Sequence, residues 1–160
     1  MSSQQYGFSY EVFRNAAELD PADQDLLKAA QAATELAYAP YSLYKVGAAA
    51  RLSNGSIICG ANQENASFPA GLCAERVLLA VASSTYSAEK LIAMAIVTEA
   101  QVLNEQPVAP CGICRQSIQE YSDNKNAAIK LILLGKEGQV FVIEDARQLL
   151  PFAFSGADLR

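Results

Sequence analysis

The chain has 160 residues, of which 51% are hydrophobic, and its formal net charge at neutral pH is −5. This length predicts a single domain, residues 1–160, with a substantial buried core. The negative charge and the lack of a Lys/Arg cluster argue against a nucleic-acid partner, and the longest central apolar run, residues 91–97, is too short to span a membrane.

Helical and extended patterns alternate along the chain. Asp20 precedes Pro21, and apolar residues then recur at helical spacing, which predicts a first helix that ends before Pro40. Two apolar runs, residues 46–52 and 56–62, are joined by an Asn-Gly turn and predict a β-hairpin. Further along, the pattern predicts helix 73–83, strand 91–98, helix 111–121, strands 129–134 and 139–143, and a short helix 146–150 before Pro151. This alternation predicts an α/β fold with a layered sheet.

Three of the four cysteines lie at the starts of predicted helices. Cys73 opens one helix, while Cys111 and Cys114 share one face of the first turn of another. The free N–H groups and the positive dipole end of a helix N-terminus stabilise thiolates. Structural zinc sites fill all four tetrahedral positions with protein ligands, whereas catalytic sites use three and leave one open. These cysteines therefore predict a catalytic site with one Zn²⁺ per chain.

Other interpretations of the cysteines are open. A CxxC motif can be a redox centre or half of a structural zinc site, and four cysteines allow three disulfide pairings. A disulfide scaffold is normally short, secreted and rich in cysteine, and the first residues of this chain show no secretory signal. We therefore expect reduced thiols in a cytoplasmic protein. The fourth cysteine, Cys59, lies in an apolar run and is expected to be a small buried thiol rather than a ligand.

The candidate acid–base group is Glu75, two residues after Cys73. The chain contains no His, so a carboxylate beside the metal must carry proton transfer. The alternative is a surface Glu that favours the first turn of a helix. Three thiolates leave a Zn²⁺ site with a net negative charge, and the guanidinium of Arg76 could offset it by hydrogen bonding to them. The alternative for Arg76 is an ordinary solvated charge.

Several motifs together resemble one enzyme family, the homotetrameric cytidine deaminases with a three-cysteine zinc site. They are Ala37-Tyr38-Ala39-Pro40-Tyr41-Ser42 with Val46-Gly47-Ala48, Asn62-Gln63-Glu64-Asn65, Cys73-Ala74-Glu75-Arg76, Pro110-Cys111-Gly112-Ile113-Cys114-Arg115-Gln116, Leu149-Leu150-Pro151-Phe152 and Phe154-Ser155. The resemblance implies a three-layer αβα sandwich with a five-stranded mixed sheet. It also implies hydrolytic deamination of cytidine or deoxycytidine to uridine or deoxyuridine plus ammonia in pyrimidine salvage, with zinc-bound water as nucleophile and Glu75 as proton shuttle.

The resemblance further implies the residues that bind the nucleoside. Asn62 and Glu64 correspond to ligands of the ribose 3′-hydroxyl, Tyr44 to a residue against the base, and Ala74 to a further substrate contact. Tyr44 and Phe68 stand where the family usually has Phe and Tyr, which leaves the preference between cytidine and deoxycytidine open. Without the resemblance, Asn62 and Glu64 are polar residues at a strand end, more often solvated than functional.

By the same resemblance, the active sites of the tetramer are shared, and Phe154 of one subunit closes over the base held by another. Arg76 and Gln116 correspond to residues that support the metal ligands. The alternative for Phe154 is packing of the tail onto its own core.

Two other functions fit part of the pattern. The same zinc chemistry could deaminate another aminated base, a nucleotide or a nucleoside antibiotic, although the chain has no basic cluster for a phosphate. A zinc-stabilised binding module would need a fourth protein ligand and would have no use for Glu75.

Overall fold

The structure is a computed structural model that describes residues 1–99, 106–135 and 137–159. Its helices are α1 (Pro21–Ala33), α2 (Ala74–Thr85) and α3 (Gly112–Lys125), and its strands are β1 (Glu11–Phe13), β2 (Lys45–Leu52), β3 (Ile57–Ala61), β4 (Leu91–Glu99), β5 (Lys130–Leu134) and β6 (Val140–Ile143). Short 3₁₀ turns cover Ala16–Glu18, Thr34–Leu36, Phe68–Ala70, Ala146–Leu149 and Gly156–Leu159. No helix of the described ranges is long and apolar enough to cross a membrane.

The strands form one mixed sheet in the order β1-β6-β5-β4-β2-β3. Only β4 and β5 pair in parallel, and every other neighbouring pair is antiparallel. Side chains alternate between the two faces of the sheet, so Ala48 and Ala50 pack with α2 and α3 whereas Ala49 packs with α1. The predicted three-layer α/β/α architecture is therefore confirmed.

Within the described residues the sheet has six strands, and the predicted count of five was wrong. The additional strand, β1, pairs with β6 at the edge of the sheet, and the ring of Tyr10 lies 5.0 Å from that of Phe141. Three residues are too few to show a periodic pattern, so the strand could not be read from the sequence. The first helix is also shorter than predicted, because α1 ends at Ala33 and a 3₁₀ turn follows.

The topology brings the starts of α2 and α3 together. Strands β3 and β4 are both antiparallel to β2, so they run in the same direction, and each is followed by one of these helices. Both helices therefore begin at the same edge of the sheet. The sheet and α2 also approach closely, since a Cβ on Gly60 would lie 2.7 Å from the carbonyl oxygen of Ala74. Glycine at this position lets the start of α2 rest on β3.

Candidate metal centre and active site

The three predicted ligands meet where the two helices begin. Cys73 is the N-cap of α2, Cys111 is the N-cap of α3, and Cys114 lies in the first turn of α3. The Sγ atoms of Cys73 and Cys111 are 3.9 Å apart, those of Cys111 and Cys114 are 3.4 Å apart, and all three lie within 4.8 Å of one another. Sulfurs held tetrahedrally at about 2.3 Å from zinc lie about 3.8 Å apart. The spacing of these atoms therefore fits a single zinc ion.

Two of the three thiols, Cys73 and Cys114, are costly to ionise without a cation beside them. Burial raises the pKa of the Cys114 thiol, and the negative charge of Glu75 raises it further. Burial likewise raises the pKa of the Cys73 thiol. A divalent ion placed among these sulfurs would offset the cost of ionising them, because thiolate ligands lose their protons on metal binding. Cysteine sulfurs are soft ligands, and zinc binds such ligands well.

Cys59 stands apart from this cluster. It lies on the other face of β3, where its Sγ is 3.9 Å from the carbonyl oxygen of Ala29 in α1. It is exposed, so the expectation of a buried thiol was wrong. The reason is that β3 is the edge strand, whose outer flank is not covered by another strand. The group of sulfurs that could hold a metal does not include Cys59.

A cavity of about 580 Å³ opens beside the sulfur cluster. Its lining comes from four parts of the chain: Tyr41, Ser42, Tyr44 and Val46; Asn62, Gln63, Glu64, Asn65, Phe68, Gly71, Leu72, Cys73 and Glu75; Ile96 and Thr98; and Val108, Ala109 and Cys111. Glu75 is only 4% exposed, and burial raises the pKa of its carboxyl group. The volume lies within the roughly 300–1,000 Å³ of small-molecule sites.

Two polar residues of the cavity are tied into the fold. The Nδ2 atom of Asn62 donates to the carbonyl oxygen of Tyr44, and its Oδ1 accepts from the N–H of Val46, both at 2.8 Å. Glu64 accepts from the hydroxyl of Ser42 and, at 2.8 Å, from the N–H of Tyr41. The hydrogen bond from Ser42 holds the pKa of Glu64 below its usual value. Both side chains are thus fixed in place along one wall of the cavity.

The comparisons with known proteins agree with this site. The family model described as "Cytidine and deoxycytidylate deaminase zinc-binding region" matches residues 20–129. The chain belongs to this family. It is 40% identical over 136 residues to a cytidine deaminase of Halalkalibacterium halodurans, an alignment that covers 85% of this chain and 96% of the relative.

Solved structures support the same assignment. A cytidine deaminase of Burkholderia pseudomallei is 40% identical, with a TM-score of 0.70 over 81% of this chain and 97% of that one. A cytidine deaminase of Mycobacterium tuberculosis is 30% identical, with a TM-score of 0.65 over 86% of this chain and 98% of that one. The family assignment therefore rests on sequence and on fold.

The remaining predicted site residues lie around the edges of the cluster. Ala74 is fully buried and belongs to the hydrophobic core on the α2 and α3 side of the sheet. Arg76 lines a separate groove between α2 and α3, and no described residue receives a hydrogen bond from its guanidinium. The Nε2 of Gln116 donates to the carbonyl oxygen of Phe154 at 2.7 Å. The ring of Phe154 is 59% exposed and lies outside the cavity of its own chain.

Several residues that shape this site were given no role in it by the sequence analysis. Val46, Ile96 and Thr98 line the cavity from the sheet, and the alternation of faces along β2 and β4 could have identified them. Arg115 donates from Nε to the carbonyl oxygen of Pro110 at 2.8 Å and from Nη1 to that of Leu149 at 3.2 Å. It thereby fixes the backbone directly before Cys111. The motif contains this residue, but its spacing gives no sign of these partners.

Proposed function

We propose that the chain is a zinc-dependent cytidine deaminase that hydrolyses cytidine and deoxycytidine to uridine and deoxyuridine with release of ammonia. The observation that carries this proposal is the juxtaposition of three clustered thiols and the buried Glu75 on one side of a cavity of about 580 Å³. Membership of the deaminase family supports the same conclusion. The role we assign is pyrimidine salvage in the cytoplasm.

The metal would be held by Cys73, Cys111 and Cys114. Zinc, when bound with one position open, supplies Lewis-acid activation of water at neutral pH. The protein provides the thiolates at two helix N-termini, where the dipoles offset part of their negative charge. Arg76 and Gln116 would support this arrangement, Arg76 by turning its guanidinium toward the thiolates and Gln116 by holding the tail beside α3.

Glu75 would move the protons of the reaction. The carboxylate takes a proton from the attacking water, delivers it to a ring nitrogen of the base, and passes the second proton to the amine that leaves as ammonia. Burial raises the pKa of this carboxyl group, which suits a group that must both accept and return a proton. One water is consumed and one ammonia is released, so the atoms balance.

The nucleoside would bind along the polar wall of the cavity. Asn62 and Glu64 would hold the ribose 3′-hydroxyl, since the carboxylate of Glu64 is an acceptor and the Nδ2 of Asn62 has a second hydrogen to donate. Tyr44 would stack against the base, and the backbone of Ala74 would contact it. Substitution of Glu64 by Ala should then weaken kcat/KM for cytidine far more than for 3′-deoxycytidine.

The direct test is ammonia release from cytidine. The fall in ultraviolet absorbance as cytidine becomes uridine is followed on the same sample whose zinc content is measured. We expect turnover in proportion to bound zinc, activity on cytidine and deoxycytidine, and none on single-stranded DNA. Zinc-loaded protein without activity on either nucleoside would refute the proposal, and faster turnover of another aminated substrate would reassign it.

The working unit we propose is a homotetramer whose active sites are shared. The exposed ring of Phe154 supports this, because it lies outside its own cavity and is free to reach a neighbouring one. Inactive Glu75→Gln chains mixed with assembled Phe154→Ala chains should recover part of the activity, as some sites pair an intact Glu75 with an intact Phe154. A fully active monomer, or no recovery in proven mixed tetramers, would exclude shared sites.

A further inference from the structure

The cavity floor contains one cross-strand row of side chains. Asn62 follows β3, and the register pairs Gly47 with Ala61 and Val46 with Thr98, so Asn62, Val46 and Thr98 lie side by side on three neighbouring strands. The N–H of Val46 donates to Asn62 at 2.8 Å, which fixes one end of this row. All three residues face α2 and α3, the side of the sheet that carries the sulfur cluster.

Thr98 is the end of this row that lies on β4. It is half-buried near the carboxyl end of β4, the edge of the sheet at which α3 and Cys111 begin. Val46, Ile96 and Val108, which line the same cavity, are apolar. The described residues offer its hydroxyl no hydrogen-bond partner. A half-buried hydroxyl beside apolar side chains orients a ligand, because leaving a polar group there unpaired is costly.

The position of the row indicates which part of a nucleoside meets this hydroxyl. In the proposed function, the 3′-hydroxyl binds at Asn62 and Glu64, and the carbon that loses its amine must approach the sulfur cluster and Glu75. The ring therefore lies between these two groups, above Val46 and Thr98. We propose that the Thr98 hydroxyl hydrogen-bonds a polar atom on the edge of the pyrimidine ring and so positions the base; this rests on the proposed function.

Two substitutions separate the hydroxyl from the shape of the side chain. Thr98→Val keeps the shape and the preference for a strand but removes the hydroxyl, whereas Thr98→Ser keeps the hydroxyl. We expect Thr98→Val to lower kcat/KM roughly tenfold, by the same factor for cytidine and deoxycytidine, and Thr98→Ser to stay within about twofold of the unaltered chain. Zinc content and melting temperature should not change in either variant.

Thr34→Val is the matched control. Thr34 is fully buried, and its hydroxyl donates to the carbonyl oxygen of Gln31 at 2.7 Å, away from the cavity. This variant should lose thermal stability while keeping its KM for cytidine, the reverse of Thr98→Val. Equal kcat/KM in the unaltered and Thr98→Val chains would overturn the proposal, as would an equal loss in Thr98→Val and Thr98→Ser. A loss that differs between the two sugars would move the contact to the sugar and also overturn it.

Calorimetry distinguishes this inference from the proposed function. Cytidine is titrated into the zinc-loaded Glu75→Gln chain with and without Thr98→Val, so affinity is measured without turnover. If the unaltered chain releases no ammonia but cytidine binding weakens roughly tenfold with Thr98→Val, the proposed reaction fails and the Thr98 contact stands. If cytidine binds with equal affinity to both chains, or to neither, the Thr98 contact is refuted.

Discussion

Asp23 and Glu75 are buried carboxylates on opposite faces of the sheet, and their surroundings differ. Asp23, 2% exposed, accepts from Arg51 of β2 at 2.8 Å and also pairs with Lys130 of β5. It therefore ties α1 to two strands. Glu75, 4% exposed, forms no salt bridge with any described residue and lies near the thiols of Cys73 and Cys114.

The difference distinguishes a carboxylate that stabilises the fold from one that is placed to transfer protons. A buried carboxylate that is paired with cations of two strands, as Asp23 is, holds those elements together. Glu75 has no such partner among the described residues, and burial raises the pKa of its carboxyl group. Carboxyl groups with raised pKa values are typical of active sites. By our proposal, the same residue class serves stability on the α1 face and proton transfer on the α2 and α3 face.

The largest expected effect falls on activity alone. Glu75→Gln should lower kcat for cytidine by about 10²–10⁴-fold or more, because in the proposed mechanism this carboxylate carries several proton transfers. Zinc content and folding should be retained, since Glu75 is not a ligand and Gln keeps its shape. Steady-state kinetics with zinc analysis of the same preparation measure this. Turnover near that of the unaltered chain would show that Glu75, contrary to our assignment, does not transfer protons and does not differ from Asp23 in this respect.

Asp23→Asn should have the opposite profile. Removal of its charge leaves Arg51 and Lys130 without their buried partner, at a cost of about 2–3 kcal/mol in the free energy of unfolding. This lies below the roughly 3–5 kcal/mol of a fully buried pair, because both cations keep contact with water. Urea denaturation measures the loss, and kcat per bound zinc should be unchanged.

The control for this variant is Asp25→Asn, which removes an exposed pair with Lys28. The free energy of unfolding should change by less than about 1 kcal/mol in that chain. Equal losses in the two variants, or a fall in kcat per zinc with Asp23→Asn, would show that Asp23 does not have the structural role we assign.

The smallest effect comes from the cap of α1. Asp20 accepts from the N–H of Asp23 at 2.9 Å, and this hydrogen bond holds the pKa of Asp20 below its ordinary value. Asp20→Ala should cost about 0.5–2 kcal/mol at neutral pH, as for other N-caps. Because the pKa of the folded state is the lower one, this stabilisation is present above the unfolded pKa and is lost as pH falls through the folded pKa.

The difference in unfolding free energy between Asp20→Ala and the unaltered chain should therefore narrow below about pH 4. Asn15→Ala is the uncharged control, since Asn15 caps the turn Ala16–Glu18 through the N–H of Ala17. Its effect should not vary with pH in this range. A difference for Asp20→Ala that stays constant with pH would contradict the assignment to the ionised cap.

Much of the candidate metal site could be predicted because its residues belong to short sequence patterns. Cys73, Cys111 and Cys114 stand at helix starts that the spacing of apolar residues already indicates, and Glu75 is two residues from a ligand. The alternation of helices and strands likewise predicts the layered sheet. These features depend on short stretches of chain, which a single sequence displays directly.

The rest depends on contacts between distant residues. The ion pairs of Asp23 are made with Arg51, 28 residues away, and with Lys130, 107 residues away. No local pattern predicts these pairs. The exposure of Cys59 depends on β3 being an edge strand, which only the strand order reveals. The place of Thr98 on the cavity floor depends on its register opposite Val46.

The central claim is that three thiols hold one metal and leave one position open beside Glu75. X-ray absorption at the zinc edge of the purified protein tests it most directly. We predict about one zinc per chain with three sulfurs at about 2.3 Å and one lighter ligand at about 2.0–2.2 Å. Four sulfurs at about 2.3 Å would mean that another cysteine closes the site, and they would contradict the claim.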